Sequence, residues 1–287
     1  MDFRLRPIYQ ERASDSNTLC VIFVEKIDVV SPITDNFDSV LFIITKEGDV
    51  PVFTKHYMFD DEKKAAMHII TEKQLQKWIV AGYNKKIVEW LLNGKVLFDR
   101  NEYIETVKKS LQQNSFEWKE TKLGVEYSKL LRKYQECKVC YRDRNYYDAY
   151  NHMVATLHYL ARMIVIQDNR YPEVMVWNQL KYDTVIYELY KNFVTSNLAI
   201  EQRIKGLFNY VEQFIEMNQE QSAKHIVKIM EREDHWSIQQ LHEDEDLKIY
   251  SVNLEFFIEF LVQKGYINIE RVETKSNGVY HRYYSVK

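Results

Sequence analysis

The chain has 287 residues, 46% hydrophobic and 28% charged, with a net charge of −3. That length allows two or three domains, the composition is that of a globular protein, and the charge gives no general pull toward nucleic acid. There is no run of about 18 apolar residues to span a membrane, no signal-type apolar core in MDFRLRPIYQERASDS, and only three scattered cysteines, so a reduced, cytoplasmic protein is expected.

Residues 1–118 read as mixed α/β. Leu19–Glu25 (LCVIFVE) and Ser39–Thr45 (SVLFIIT) are short apolar runs rich in β-branched residues, as in buried strands. Val50–Phe59 alternates more weakly, and Ala66–Ile70 is a fourth strand. Thr71 with Gln74 forms a capping box opening one helix; a second follows Asn84 and stops at Gly94. Lys95–Phe98 fits an edge strand, and Asp99 with Glu102 caps a helix over Tyr103–Leu111.

From 119 to 218 the period changes. Leu123, Tyr127, Leu130, Tyr134, Cys137 and Tyr141 recur every three or four positions, as do Tyr150, Val154, Leu157, Ala161 and Ile164. With Val185–Val194 and Ile204–Ile215 they predict an antiparallel four-helix bundle. Twelve of the 21 tyrosines fall here; they fill the core and rim or line a substrate cleft. Residues 219–287 read as helix Ala223–Met230, a short helix capped by Ser237 and Gln240, a third capped by Asn253 and ended by Gly265, then strands Tyr266–Val272 and Val279–Val286 around Asn277-Gly278. That order is a winged helix-turn-helix.

The strand pair Leu19–Glu25 and Ser39–Thr45, and the stretch Glu89–Tyr103 (EWLLNGKVLFDRNEY), resemble the nucleotidyltransferase fold of the kanamycin nucleotidyltransferase type. Over its full length the chain is similar to a bacterial family known as nucleotidyltransferase-like proteins. The resemblance implies an α+β protein: a nucleotidyltransferase-like mixed sheet domain, a helical bundle that closes over nucleotide and second substrate, and a winged helix.

Nucleotidyl transfer needs two divalent ions about 3.5–4 Å apart, held for magnesium by oxygen ligands. The resemblance implies carboxylates at i and i+2 of one strand, on one face, a third on a neighbouring strand, and a Gly-Ser pair upstream for the triphosphate. At the Gly-Ser position stands Val24-Glu25-Lys26. A glutamate there repels a phosphate by about 4 kcal/mol near 4 Å at an effective dielectric of about 20, and Lys26 offsets this if it points inward. The paired acids fall on Asn36-Phe37-Asp38, or on Asp38 and Val40 in the other register. Asp35 and Asp38 converge only if the chain bends before Ser39. The third position, Ala65-Ala66-Met67-His68, offers no acid. The candidates are therefore Asp38 and Asp35 as catalytic carboxylates, vestigial or altered, and Glu25, Lys26 and Asn36 as nucleotide contacts. If the site is active, Asp38, Asp35 and His68 are the metal ligands, for magnesium or, given the imidazole, a softer ion such as manganese or zinc. The favoured expectation is an eroded, non-catalytic site with no cofactor.

Other motifs are bland. Cys137-Lys-Val-Cys140 is a lone pair where zinc needs four ligands. Asp148 and His152, four apart, are expected to pair on one helix. Arg142 and Arg144 stand too far from His152 for the Arg-x4–6-His motif of RNA-cleaving toxins. From Glu220 to Lys287 nine Lys/Arg face twelve Asp/Glu, and the reading helix carries Glu255 and Glu259. That opposes a simple DNA reader, since affinity comes from phosphate neutralisation; the wing, with Arg271, Lys275, His281 and Arg282, is the basic part. The expected role is binding of a nucleotide, a nucleotide-bearing molecule or a protein partner. An active transferase and a winged-helix regulator with a ligand-sensing domain are the competitors.

Overall fold

The computed structural model describes residues 3–26, 33–81, 84–113, 116–182 and 185–287. The chain divides into two units, Met1–Asn114 and Ser115–Lys287.

In the first unit Thr18–Glu25 (β1), Ser39–Thr45 (β2), Val52–Met58 (β3), Lys64–Thr71 (β4) and Lys95–Asp99 (β5) form one sheet of order β3-β4-β2-β1-β5. β2 and β4 run parallel and the other pairs antiparallel. β1 and β2 are covered on both faces, which is why they read as unbroken apolar runs. On one face Val21, Phe23, Leu41, Ile43, Ala65 and Met67 form a core with Leu5 and, beside it, Ile8 and Tyr9 of helix α1 (Arg6–Ser14). The sequence reading missed α1, none of whose own residues is fully buried.

On the other face lie Cys20, Ile22, Phe42 and His68, by the alternation of strand side chains, beneath α3 (Lys85–Asn93). Trp90 of α3 meets Phe42 edge-on at 5.2 Å. α2 (Glu72–Ala81) begins where Thr71 Oγ1 accepts from the Gln74 amide at 3.3 Å. α4 (Tyr103–Gln113) begins where Asp99 Oδ1 accepts from the Ile104 amide at 3.0 Å. Gly94 ends α3 for a packing reason: a Cβ there would lie 2.3 Å from Ile22 Cγ2.

The second unit runs α5 (Phe116–Arg142), α6 (Tyr146–Gln167), α7 (Val176–Gln179), α8 (Val185–Thr195), α9 (Ile200–Met230), α10 (Ile238–Glu243), a 3-10 turn Lys248–Asn253, α11 (Leu254–Gln263), β6 (Ile267–Glu273) and β7 (Tyr280–Val286). One core spans it, from Leu123, Tyr127 and Leu157 to Phe257, Leu261 and Tyr284. The helical runs read as separate at Ile204–Ile215 and Ala223–Met230 are one helix, α9, of 31 residues. The polar stretch between them holds no Gly or Pro to break it, and Asn218 Nδ2 donates to Phe214 O at 2.8 Å within the helix. Ser237 and Gln240 form the expected capping box, whereas Asn84 and Asn253 make no side-chain cap bond. Gly278, at φ +76°, supplies the left-handed residue of the wing turn.

The 3-10 turn and α9 share a part-buried polar junction. Tyr250, from the 3-10 turn, meets His225 Nδ1 of α9 through its hydroxyl at 3.0 Å. Burial pushes the imidazole down to about 4, with Asp246 opposing and Arg232 and Lys228 reinforcing. The unfolded chain takes up that proton near pH 6.5 and the folded chain does not. His225 therefore stabilises the fold above about pH 6.5, and the contribution falls by about 1.4 kcal/mol per unit as pH drops toward 4. Urea unfolding of wild type and His225→Gln between pH 7 and 4.5 should show the steeper acid loss in wild type; equal slopes would contradict it.

Candidate functional site

The segment that should carry the catalytic acids is a tight turn before it is a strand. Phe37 N donates to Thr34 O at 2.9 Å, and the two central residues, Asp35 and Asn36, have φ of 51° and 64°. Positive φ at both central positions is the type I′ pattern. Asn36 is thus a turn residue, and the Asn36-Phe37-Asp38 register does not place positions 36 and 38 on one strand face. Asp35 leaves the turn to pair with Lys86 of α3.

Asp38 is a structural clip. Its amide donates to Lys64 O at 2.9 Å, its carbonyl accepts from Lys26 N at 3.0 Å, and its Oδ2 accepts from Lys64 N at 2.8 Å. The residue ties the start of β2 to the start of β4 and the end of β1. Val40, next on its face, is buried, as are Ala65, Ala66 and Met67 at the third position. Met67 and His68 fall on opposite faces. His68 contacts Thr54 Oγ1 through Nδ1 at 3.0 Å and stacks on Trp90 at 5.4 Å. Burial, then His56, holds its imidazole below the usual range.

Glu25 lines a cavity of about 250 Å3 with Phe23, Val24, Ile33, Glu89, Asn93 and Lys95. Among the described lining residues Lys26, the residue expected to offset Glu25, does not appear, and the cation is Lys95. A pair of magnesium or manganese ions needs converging carboxylates. Among the described residues no group of three or more His, Cys, Asp or Glu is placed to hold an ion. Asp35 is engaged with Lys86, Asp38 with the Lys64 amide and His68 with Thr54. This donor set does not fit the metal pair.

Three further expectations resolve in the helical unit. His152 pairs across helices, its Nδ1 3.1 Å from Glu136 Oε2 of α5, and not with Asp148 on its own helix. Cys137 and Cys140 are free thiols, and burial pushes Cys137 up to about 12. The acids of the reading helix are held locally, Glu255 by His242 at 2.9 Å and Glu259 by Arg282 at 2.7 Å, so a basic residue of the wing is already neutralised.

Residues 1–119 match a family described as nucleotidyltransferase-like, 120–218 a YgxA-like substrate binding domain and 224–286 a helix-turn-helix domain. A Bacillus subtilis (strain 168) protein, described as the uncharacterized protein YgxA, is 41% identical over 100% of this chain and 98% of its own length. The chain belongs to the YgxA family of nucleotidyltransferase-like proteins. The crystal structure of a nucleotidyltransferase-like protein from Exiguobacterium sibiricum 255-15 superposes with a TM-score of 0.80 at 31% identity, over 98% of each chain. Among the described residues no helix is long and apolar enough to cross a membrane.

In this member of the YgxA family the densest buried chemistry lies in the segment matched to substrate binding. Glu126 of α5 and Arg162 of α6 are only 3% and 2% exposed, and they meet at 3.0 Å (Nε to Oε2) and 3.1 Å (Nη2 to Oε1). Lys122 is as buried, its ammonium 4.2 Å from the centre of the Tyr171 ring. The sequence reading passed over these residues. Its signal was present: Lys122, Glu126, Lys129, Lys133 and Glu136 each stand one position before the apolar residues of the 3.6-period stripe.

Proposed function

We propose that the chain is a non-catalytic member of the nucleotidyltransferase superfamily that binds a nucleotide or nucleotide-bearing molecule in the cytoplasm, with domains over 1–118, 119–218 and 219–287. What supports this most is the use of Asp38: the one carboxylate at the motif position accepts the Lys64 amide and clips two strands together. Glu25 in the cavity at the end of β1 adds a charge that opposes a triphosphate where the transferases cradle one. The substrate-binding match supports retention of a ligand after loss of the metal pair.

Radiolabelled nucleoside triphosphates, offered with magnesium or manganese and a panel of acceptors, should yield no transferred label, while ATP binds by calorimetry with or without the ions. Metal-dependent transfer that disappears in Asp38→Ala would sink the reading. Retardation of duplex DNA, weakening steeply with salt, would favour the regulator instead.

A further inference from the structure

The second unit holds a cavity of about 370 Å3 lined by α5, α9 and α11. It straddles the segment matched to substrate binding and the helix-turn-helix segment, and its size suits a small molecule. On α9, Glu212 and Glu216 stand four apart, so their side chains leave one face of the helix about 6 Å apart. α11 brings Phe256, Glu259 and Phe260 to the same cavity, and α5 brings Leu131, Tyr134 and Lys138. Lys264, just past α11, completes the charged groups of the lining.

Two of the carboxylates already hold an ammonium group. Lys138 Nζ donates to Glu212 Oε1 at 3.4 Å and lies 5.4 Å from the centre of the Tyr134 ring. Lys264 Nζ donates to Glu216 Oε2 at 2.6 Å and lies 5.9 Å from the centre of the Phe260 ring. A carboxylate beside an aromatic face binds an alkylammonium twice over, by a charge-assisted hydrogen bond and by the ring quadrupole. The third ring and the third acid also draw cations: Phe256 has Arg132 at 5.6 Å, and Glu259 accepts from Arg282 at 2.7 Å. The chain's own lysines thus show which chemistry the cavity recognises.

The partners of these pairs are not equally fixed. Glu212 Oε1 also accepts from the Tyr134 hydroxyl at 2.8 Å, Glu216 Oε1 from Gln219 Nε2 at 2.9 Å, and Glu259 Oε1 from the Tyr284 hydroxyl at 3.4 Å. Each lysine, by contrast, meets a single carboxylate among the described residues, and Lys138 and Lys264 are 46% and 34% exposed. An exposed ion pair holds a lysine weakly, and the side chain regains rotamer freedom on swinging into water. The carboxylates stay while the ammonium groups exchange. An anion would have to displace the better-held partner.

We infer that this cavity binds a small aliphatic diamine or polyamine, its ammonium groups replacing Lys138 on Glu212 and Lys264 on Glu216 and its methylenes lying against Leu131, Phe256 and Phe260. A four-carbon diamine, extended, spans about one helical turn, the separation of Glu212 and Glu216 along α9. The site goes beyond the nucleotide reading and does not rest on it.

The test is calorimetry on the full chain with 1,4-diaminobutane, spermidine and n-butylamine at pH 7.5, in about 0.15 M salt to screen loose surface attraction. One of the first two should bind, and n-butylamine, with one ammonium group, at least tenfold more weakly. Glu212→Gln and Glu216→Gln should each weaken binding tenfold or more, with thermal melts confirming that both variants are folded. Lys138→Met, which removes an internal competitor, should tighten it several-fold. Glu188→Gln, an exposed acid of α8 outside the cavity, should leave it unchanged. No binding tighter than about 1 mM by either polyvalent amine, wild-type affinity in both glutamine variants of the cavity, weaker binding by Lys138→Met, or an equal loss in Glu188→Gln would each overturn the inference.

Discussion

Glu126→Ala should destabilise the helical unit by about 3–5 kcal/mol, the usual result of stripping one partner from a buried ion pair. The reason lies in what remains. Arg162 is 2% exposed and loses both of its carboxylate contacts, and its guanidinium stays charged at any accessible pH. Lys122 beside it escapes by releasing its proton, already held at about 7. The loss therefore falls on the arginine, and Glu126→Leu combined with Arg162→Met should recover more than half of it, since apolar replacement of a buried pair is often neutral. Urea unfolding followed by circular dichroism reads both effects. A single mutant as stable as wild type would show that water reaches the pair.

Gly124→Ala should also cost about 1–3 kcal/mol, from overpacking. A Cβ on Gly124 would lie 2.4 Å from the Tyr250 hydroxyl and 3.0 Å from Ser222 O. Tyr250 is buried and its hydroxyl contacts His225, so it cannot move aside without leaving that contact. Gly206, in α9, is the control: a Cβ there meets nothing within 4 Å. Gly206→Ala should stabilise by about 0.5–1 kcal/mol through helix propensity. Opposite signs for two Gly→Ala changes in the same unit, read from urea midpoints, test the geometry; like signs would refute it. Tyr250→Phe in the Gly124→Ala background should return part of the loss.

The sheet was legible because β1 and β2 are covered on both faces, and only an apolar run satisfies that. α1 was not, because RPIYQERAS lends only a few side chains to the core it borders. The candidate site was half legible. The missing acids at Val40 and at Ala65–Met67 could be read directly, since no backbone geometry turns those residues into ligands. The bend at Asp35-Asn36 could not, because both residues accept strand or turn conformations and the choice is made by the bonds from Asp38 to Lys64. The buried Glu126–Arg162 pair was missed for a different reason. A charged residue beside an apolar stripe marks a solvated face in an isolated helix, and it becomes buried only when a second helix supplies its counter-ion, as α6 does with Arg162.

α9 runs unbroken from the bundle into the helix-turn-helix segment, and 31 residues of helix make a rod about 46 Å long. No joint separates the portion that borders the bundle from the portion that borders β7. A rotation of about 5° at one end of such a rod sweeps the other through roughly 4 Å. The bundle and the C-terminal strands thus lean on one continuous lever, which cannot tilt at one end without tilting at the other.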